Sequence, residues 1–228
     1  YAVVKILESR MKSVMGMLRR ELNKQILANS STILTGLSTL NGDAAGTGSS
    51  TGFLESVATA SQTNVCGGIS KATFNVAGWT NQFKNAGGTL GMDDLYELYI
   101  SANSVAPAGD ISQLIMSADA FSQYRQLLFA QERYVDTSKL DGGRMALAFN
   151  GAIAEQDPVM GFASGVAGNV DAYMLNYDGI KLVFHSEGDF DVSPFEHISG
   201  STARAAQMYV KCQMVADHLG GQGVLINA

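Results

Sequence analysis

The apolar positions set up a helical rhythm from the start of the chain. Val4, Leu7, Met11, Val14, Leu18, Leu22 and Ile26 recur in steps of three and four. Lys5, Glu8, Lys12, Arg19 and Glu21 fall on the other side, so the pattern predicts an amphipathic helix over residues 3–28. At 1.5 Å per residue that helix is roughly 40 Å long, well beyond the usual length of about 11 residues. Asn29, Ser30 and Ser31 then end it, because their short polar side chains compete for backbone hydrogen bonds. Tyr1 is not a methionine, and no charged segment with an apolar run and cleavage site precedes the helix. The pattern is already running at the first residues, so the chain is expected to be a fragment or a processed product.

Beyond the helix the rhythm changes. Residues 33–40, ILTGLSTL, read as a short strand or turn, and 41–52, NGDAAGTGSSTG, read as an exposed loop. A second helix is predicted to start near Gly91, with Asp93 and Asp94 in its first turn and an apolar stripe of Met92, Leu95, Tyr96 and Tyr99. Residues 114–116 read as a short buried strand, after which Ser117 caps a third helix carrying Phe121, Tyr124, Leu127 and Leu128. Strand-like runs follow at 145–149, 172–175, 180–184 and 205–216, and GVLI lies near the end of the chain. Helices early and strands late, without strict alternation, predict an α+β fold.

Composition narrows the classes. With 228 residues and 46% hydrophobic content, the chain can bury about 70% of its unfolded surface, which excludes a disordered protein. No apolar stretch is long enough to span a membrane as a helix. Fifteen basic against 21 acidic residues give a net charge of −6, the opposite of a nucleic-acid-wrapping balance. Charged residues make up 16%, against about a quarter in a typical soluble domain. So little charge points to a surface partly covered by other subunits.

Candidate chemistry is sparse. Cys66 and Cys212 lack metal-ligand spacing and form no disulfide framework. Gly48-Ser49-Ser50-Thr51-Gly52 matches the nucleophile-elbow string, but that turn needs a strand before Ser50, where a polar glycine-rich run stands. Gly46, Gly48 and Gly52 miss the dinucleotide fingerprint, and no phosphate-cradling loop occurs. His185 borders Glu187, Asp189 and Asp191, yet the segment lacks the ligand steps of a calcium loop and reads as solvated. His197 stands apart, and His218 reads as a structural hydrogen-bonder rather than a base. Asp93, Asp94 and Glu97 read as capping and dipole groups rather than a paired-carboxylate site. Asn29-Ser30-Ser31 is a formal glycosylation acceptor without secretory context, and Arg19, Arg20 and Lys24 are too sparse a patch to hold nucleic acid. The expectation is a protein without enzymatic activity, with no catalytic residue, no metal site and no cofactor.

Five segments in order resemble the major capsid proteins of tailed bacteriophages, the Hong Kong 97-like fold. They are the long helix followed by Leu34-Thr35-Gly36-Leu37 and Leu40; Cys66-Gly67-Gly68-Ile69-Ser70-Lys71-Ala72-Thr73 leading to Trp79-Thr80-Asn81-Gln82; and Pro107 to Arg133. Phe149-Asn150-Gly151-Ala152-Ile153 with Asp157, and Tyr173-Met174-Leu175-Asn176, complete the series. The resemblance implies a spine helix over 1–29, a peripheral domain from 1–88 with 200–228, and an axial domain over 89–199. It implies a structural coat protein that self-assembles through pentamers and hexamers into an icosahedral head. Such a head is built in the bacterial cytoplasm and encloses DNA without sequence-specific binding. Scaffold, portal or decoration proteins are its further partners, and no membrane is involved. The N-terminal arm and E-loop of that family have no counterpart in these residues. The same fold builds encapsulin nanocompartments, a cellular shell around a cargo enzyme, which is the alternative; a serine hydrolase using Ser50 is the remaining one.

Overall fold

The computed structural model describes residues 2–28, 37, 53–56, 58–62, 65–66, 69–74, 78–107, 109–130, 138–139, 145–160, 170–201 and 204–226. Helix α1 spans Ala2–Ala28, followed by a 3₁₀ turn at Thr59–Ser61, strands β1 (Val65–Cys66) and β2 (Ile69–Ser70), and a single helical turn, α2 (Lys71–Phe74). Strand β3 (Gln82–Asn85), helix α3 (Met92–Val105), β4 (Gln113–Met116) and helix α4 (Ala118–Ala130) come next. Then follow β5 (Ser138–Lys139), β6 (Met145–Phe149), β7 (Ala152–Gln156), β8 (Val170–Leu175) and β9 (Ile180–Phe184). The rest are β10 (Asp191–Val192), β11 (Glu196–His197), β12 (Arg204–Ala205), β13 (Met208–Tyr209), β14 (Cys212–Ala216) and β15 (Gly223–Ile226). The fold is α+β, as the order of elements predicts. The 33–40 and 41–52 segments, Leu37 aside, lie outside the described residues.

A seven-stranded mixed sheet in the order β3-β15-β8-β4-β7-β6-β5 organises the molecule. Its central strands are apolar on both faces because both faces are covered. Leu114, Met116, Ala154, Ala172, Met174 and Leu225 point to α3 and α4, which bring Leu95, Leu98, Ala102, Ala120, Tyr124 and Leu128. Ile115, Tyr173, Leu175, Val224 and Ile226 point the other way, against Leu27 of α1, Phe53, Leu54, Ile180 and Met214. Each fully buried Leu contributes about 1.5–3 kcal/mol to this arrangement. The predicted α3 stripe is extended by Leu98 and Ala102, both buried.

Local chemistry sets the element boundaries. The Gly91 N–H donates to Asp94 Oδ2 at 3.0 Å, which closes the N-terminus of α3. The Ala120 N–H donates to Ser117 Oγ at 3.2 Å, which closes α4 as expected. In β8 the register shifts opposite Leu225 and Ile226, so that Leu225 faces Ala172 and Ile226 faces Val170. Asp171 is the extra residue of that bulge, and its carbonyl accepts from the Ser117 N–H at 2.7 Å. A bulge in the sheet thus seats the cap of the helix above it.

One expectation needs correction. The run over 205–216 reads as one strand but folds as the three short strands β12, β13 and β14. They pair with β11, β10 and β9 to make a long two-stranded antiparallel ribbon over 180–216, and the intervening residues 185–190 break the ladder. Strand pairing runs across the expected boundaries at 88/89 and 199/200. β3 and β15, assigned by sequence to the helix-bearing domain, lie in the same sheet as β4 to β8, and the ribbon crosses residue 199. The cause is β15: it hydrogen-bonds in parallel to β3 and antiparallel to β8, joining segments far apart in the chain.

Candidate functional surfaces

Several sequence candidates lie outside the described residues: Ser50 with its glycine-rich loop, Asn29-Ser30-Ser31, and Gly67-Gly68. The others are placed. His185 Nδ1 accepts from the Glu187 N–H at 3.1 Å, and Asp191 Oδ2 accepts from the Tyr209 hydroxyl at 3.4 Å. His197 Nδ1 lies 3.1 Å from Ile198 O. Among the described residues, no three His, Cys, Asp or Glu side chains come together as a metal ion would require. Asp94 and Glu97 share the Lys84 ammonium, with Asp94 at 3.2 Å; Glu97 first and Asp94 second raise the Lys84 pKa. Cys212 lies half-buried in β14, where burial pushes its thiol up and away from reactivity. No helix among the described residues is long and apolar enough to cross a membrane.

Three residues from the quoted motifs are structural hubs. Asn81 is buried and ties β3 to the 53–62 segment: its Nδ2 donates to Glu55 O at 2.9 Å, and its Oδ1 accepts from the Glu55 N–H at 2.8 Å. Its backbone exchanges two further bonds with the Gln62 amide, at 2.8 and 3.0 Å. Asp157 accepts from Asn23 Nδ2 at 2.9 Å, which pins α1 to the end of β7. Asn176 and Gln222 exchange two bonds of 2.9 Å each where the ribbon leaves the sheet. The motifs quoted for the resemblance thus mark places where distant segments are fastened together.

His218 sits at that same root and departs from expectation. Its ring is partly covered, with Cε1 2.7 Å from where a Cβ on Gly179 would stand. Its Nδ1 is buried without a hydrogen-bond partner among the described residues, so it is not the hydrogen-bonder the sequence implied. Desolvation lowers its pKa below the ordinary 6.5, partly offset by Asp217 and Asp178.

Among the described residues, a helix and a ribbon each carry several uncovered apolar side chains. Only the C-terminal part of α1 packs on the sheet. Leu27 is buried, Met11, Leu18, Leu22 and Ile26 are half-buried, and Ile6, Leu7, Val14 and Met17 are exposed, Met17 at 69%. The stripe expected to be buried along its length is therefore bare at Leu7 and Val14. On the ribbon, Ile180, Leu182, Met214 and Ala216 face the core, while Val183 and Val215 stand out on the opposite face. Phe184, Phe195 and Ile198 are exposed further along. The two features touch where the Arg19 guanidinium lies 5.3 Å over the Phe190 ring.

No protein-family model matches the chain, and no curated protein matches it by sequence. Its fold is similar to that of the holo-SrpI encapsulin complex from Synechococcus elongatus PCC 7942, solved by cryo-electron microscopy. The likeness has a TM-score of 0.53 at 14% identity and covers 64% of this chain. It covers 53% of the encapsulin chain, so this chain spans about half the length of that protein. The likeness is one of fold: over the matched part, the α+β architecture of this chain is similar to that of the encapsulin.

Proposed function

We propose that this chain is the structural subunit of a self-assembling protein shell, and that it is not an enzyme. The reading rests on the likeness to an encapsulin over 64% of the chain. The uncovered apolar surface of α1 and the ribbon and the low charge support it. A subunit whose edges are covered by neighbours needs few charged side chains there. In this reading α1 takes the part of a spine helix, and the shell is an encapsulin-type compartment that closes around protein cargo in the cytoplasm.

A second reading is the head of a tailed phage, a virion shell around DNA that is assembled in a bacterial cytoplasm with scaffold or portal proteins. The observation favouring it is the ordered series of sequence segments from Leu34 to Asn176. One experiment addresses both. The gene's whole product is expressed and studied by light scattering and negative-stain microscopy, and the particle contents are analysed. Uniform closed particles support the shell reading. Co-purifying protein cargo then favours a compartment, whereas particles that need a scaffold and package DNA favour a phage head. A product that stays monomeric at all concentrations overturns both.

A further inference from the structure

The charge of the chain is divided unevenly. α1 holds six of the 15 basic residues and two of the 21 acidic ones, so it carries +4 while the other residues together carry −10. All six basic side chains of α1 are exposed. Arg10, Lys12, Arg20 and Lys24 make no ion pair among the described residues. Arg10, Arg20 and Lys24 fall on the same side of the helix as the bare Ile6, Leu7, Val14 and Met17, and Lys12 falls on the other.

The ribbon carries the complement. Glu187 and Asp189 lie on the segment that interrupts its ladder, Asp191 opens β10 just beyond it, and Glu196 follows; all four are exposed. None has an ion pair among the described residues. Their field is felt locally: Asp191 is the largest cause raising the Tyr209 pKa, and Glu187 adds to it. Phe184, Phe195 and Ile198 lie exposed nearby along the strands. A two-stranded ribbon standing off a core is marginal in water without a further packing partner.

Resting on the shell reading, we infer that the acidic ribbon of one subunit docks on the basic, apolar-streaked face of α1 of a second copy. Opposite charge sets which surfaces meet and in what register, and the apolar side chains on both supply the burial. Each ion pair is weak alone, but a closed shell repeats the contact at every subunit, so small changes multiply. This gives the acidic knot around His185 a role as a docking surface rather than an ion site.

The test uses the gene's whole product in three variants. They are Arg10→Glu with Arg20→Glu, Glu187→Lys with Asp189→Lys, and all four together. Circular dichroism and melting curves check that each is folded, as expected for exposed positions. Each pair alone is expected to lower the assembled fraction about tenfold at low salt, and the fourfold variant to restore it. Particles forming equally well from every variant overturn the docking while leaving the shell reading intact. Failure of the fourfold variant to regain assembly also overturns it. So does normal assembly of Arg10→Glu/Arg20→Glu with loss of co-purifying nucleic acid, which would assign α1 to nucleic acid. If the unaltered protein forms no particles, the shell reading falls, and the docking with it.

Discussion

The Lys71 ammonium lies 3.2 Å from the Glu55 carboxylate, and both side chains are almost entirely removed from water. Lys71 Nζ also donates to Phe53 O at 2.6 Å, so one cation on α2 holds the side chain of Glu55 and the backbone two residues before it. Glu55 is in turn fixed through its backbone to Asn81 at the head of β3. A buried pair of this kind is costly to break from one side, because the remaining charge loses its counter-ion while water stays excluded.

Lys71→Met is therefore expected to destabilise the protein by about 3–5 kcal/mol in urea denaturation. Lys71→Met with Glu55→Gln should recover much of that loss, since no buried charge remains. Equal losses from the single and double variants would show that the ammonium matters for its bond to Phe53 rather than for the ion pair.

The turn between β6 and β7 offers a test of pure backbone strain. Phe149 and Ala152 pair across Asn150 (φ 48°) and Gly151 (φ 89°), the positive pair that a tight two-residue hairpin requires. A Cβ on Gly151 would meet nothing within 4 Å, so Gly151→Ala adds strain without a clash. It is expected to cost about 1–2 kcal/mol, while Asn150→Gly changes stability by less than about 0.5 kcal/mol. Chemical denaturation of both variants checks the contrast.

Helices were legible because their period repeats over many residues: α1, α3 and α4 fall close to where Val4 to Ile26, Met92 to Tyr99 and Phe121 to Leu128 place them. The strand AIAEQ was hidden, because it buries only Ala152 and Ala154 toward α4, and alanine carries little strand signal. The 205–216 run looked continuous because a sequence does not show where its partner strand is interrupted, here at 185–190. A periodic stripe likewise marks a face without saying whether anything covers it, so the exposure of Leu7 and Val14 could not be read in advance. The asparagines at 81 and 176 were visible only as motif letters. Their function as buried hubs depends on Gln62 and Gln222, which sequence spacing does not connect to them.

His218 gives a pH dependence with a definite sign. Burial holds its folded pKa below the unfolded value of 6.5, so the folded state binds a proton less readily than the unfolded chain does. Its contribution is full above pH 6.5 and is lost as pH falls through that value toward the folded pKa. Between pH 7.5 and 5.5 the melting temperature should fall for the natural protein and fall less for His218→Gln. Parallel curves for the two would remove His218 from the account. The effect is expected at the ribbon root, where Asp217 N–H donates to Gly179 O at 2.9 Å beside the ring.

The last prediction concerns the gradient along α1. Leu27, 4% exposed, packs with Phe53, Leu54 and Tyr173, whose hydroxyl donates to the Leu27 carbonyl at 3.2 Å. Leu7, 44% exposed, lies about three-quarters of the helix away from that core. Leu27→Ala removes buried methyl groups from a closed environment and should cost about 2–4 kcal/mol. Leu7→Ala removes atoms that water already reaches, and it should change the stability of the isolated subunit by less than about 0.5 kcal/mol. The order is expected to reverse in assembly. If α1 is covered by a second copy, Leu7→Ala weakens particle formation although it leaves the subunit's own unfolding unchanged. Urea denaturation of the dissociated subunit, set beside light scattering of the assembled product, separates the two effects. Equal loss of subunit stability from both substitutions would mean that the N-terminal half of the helix is already packed within one chain.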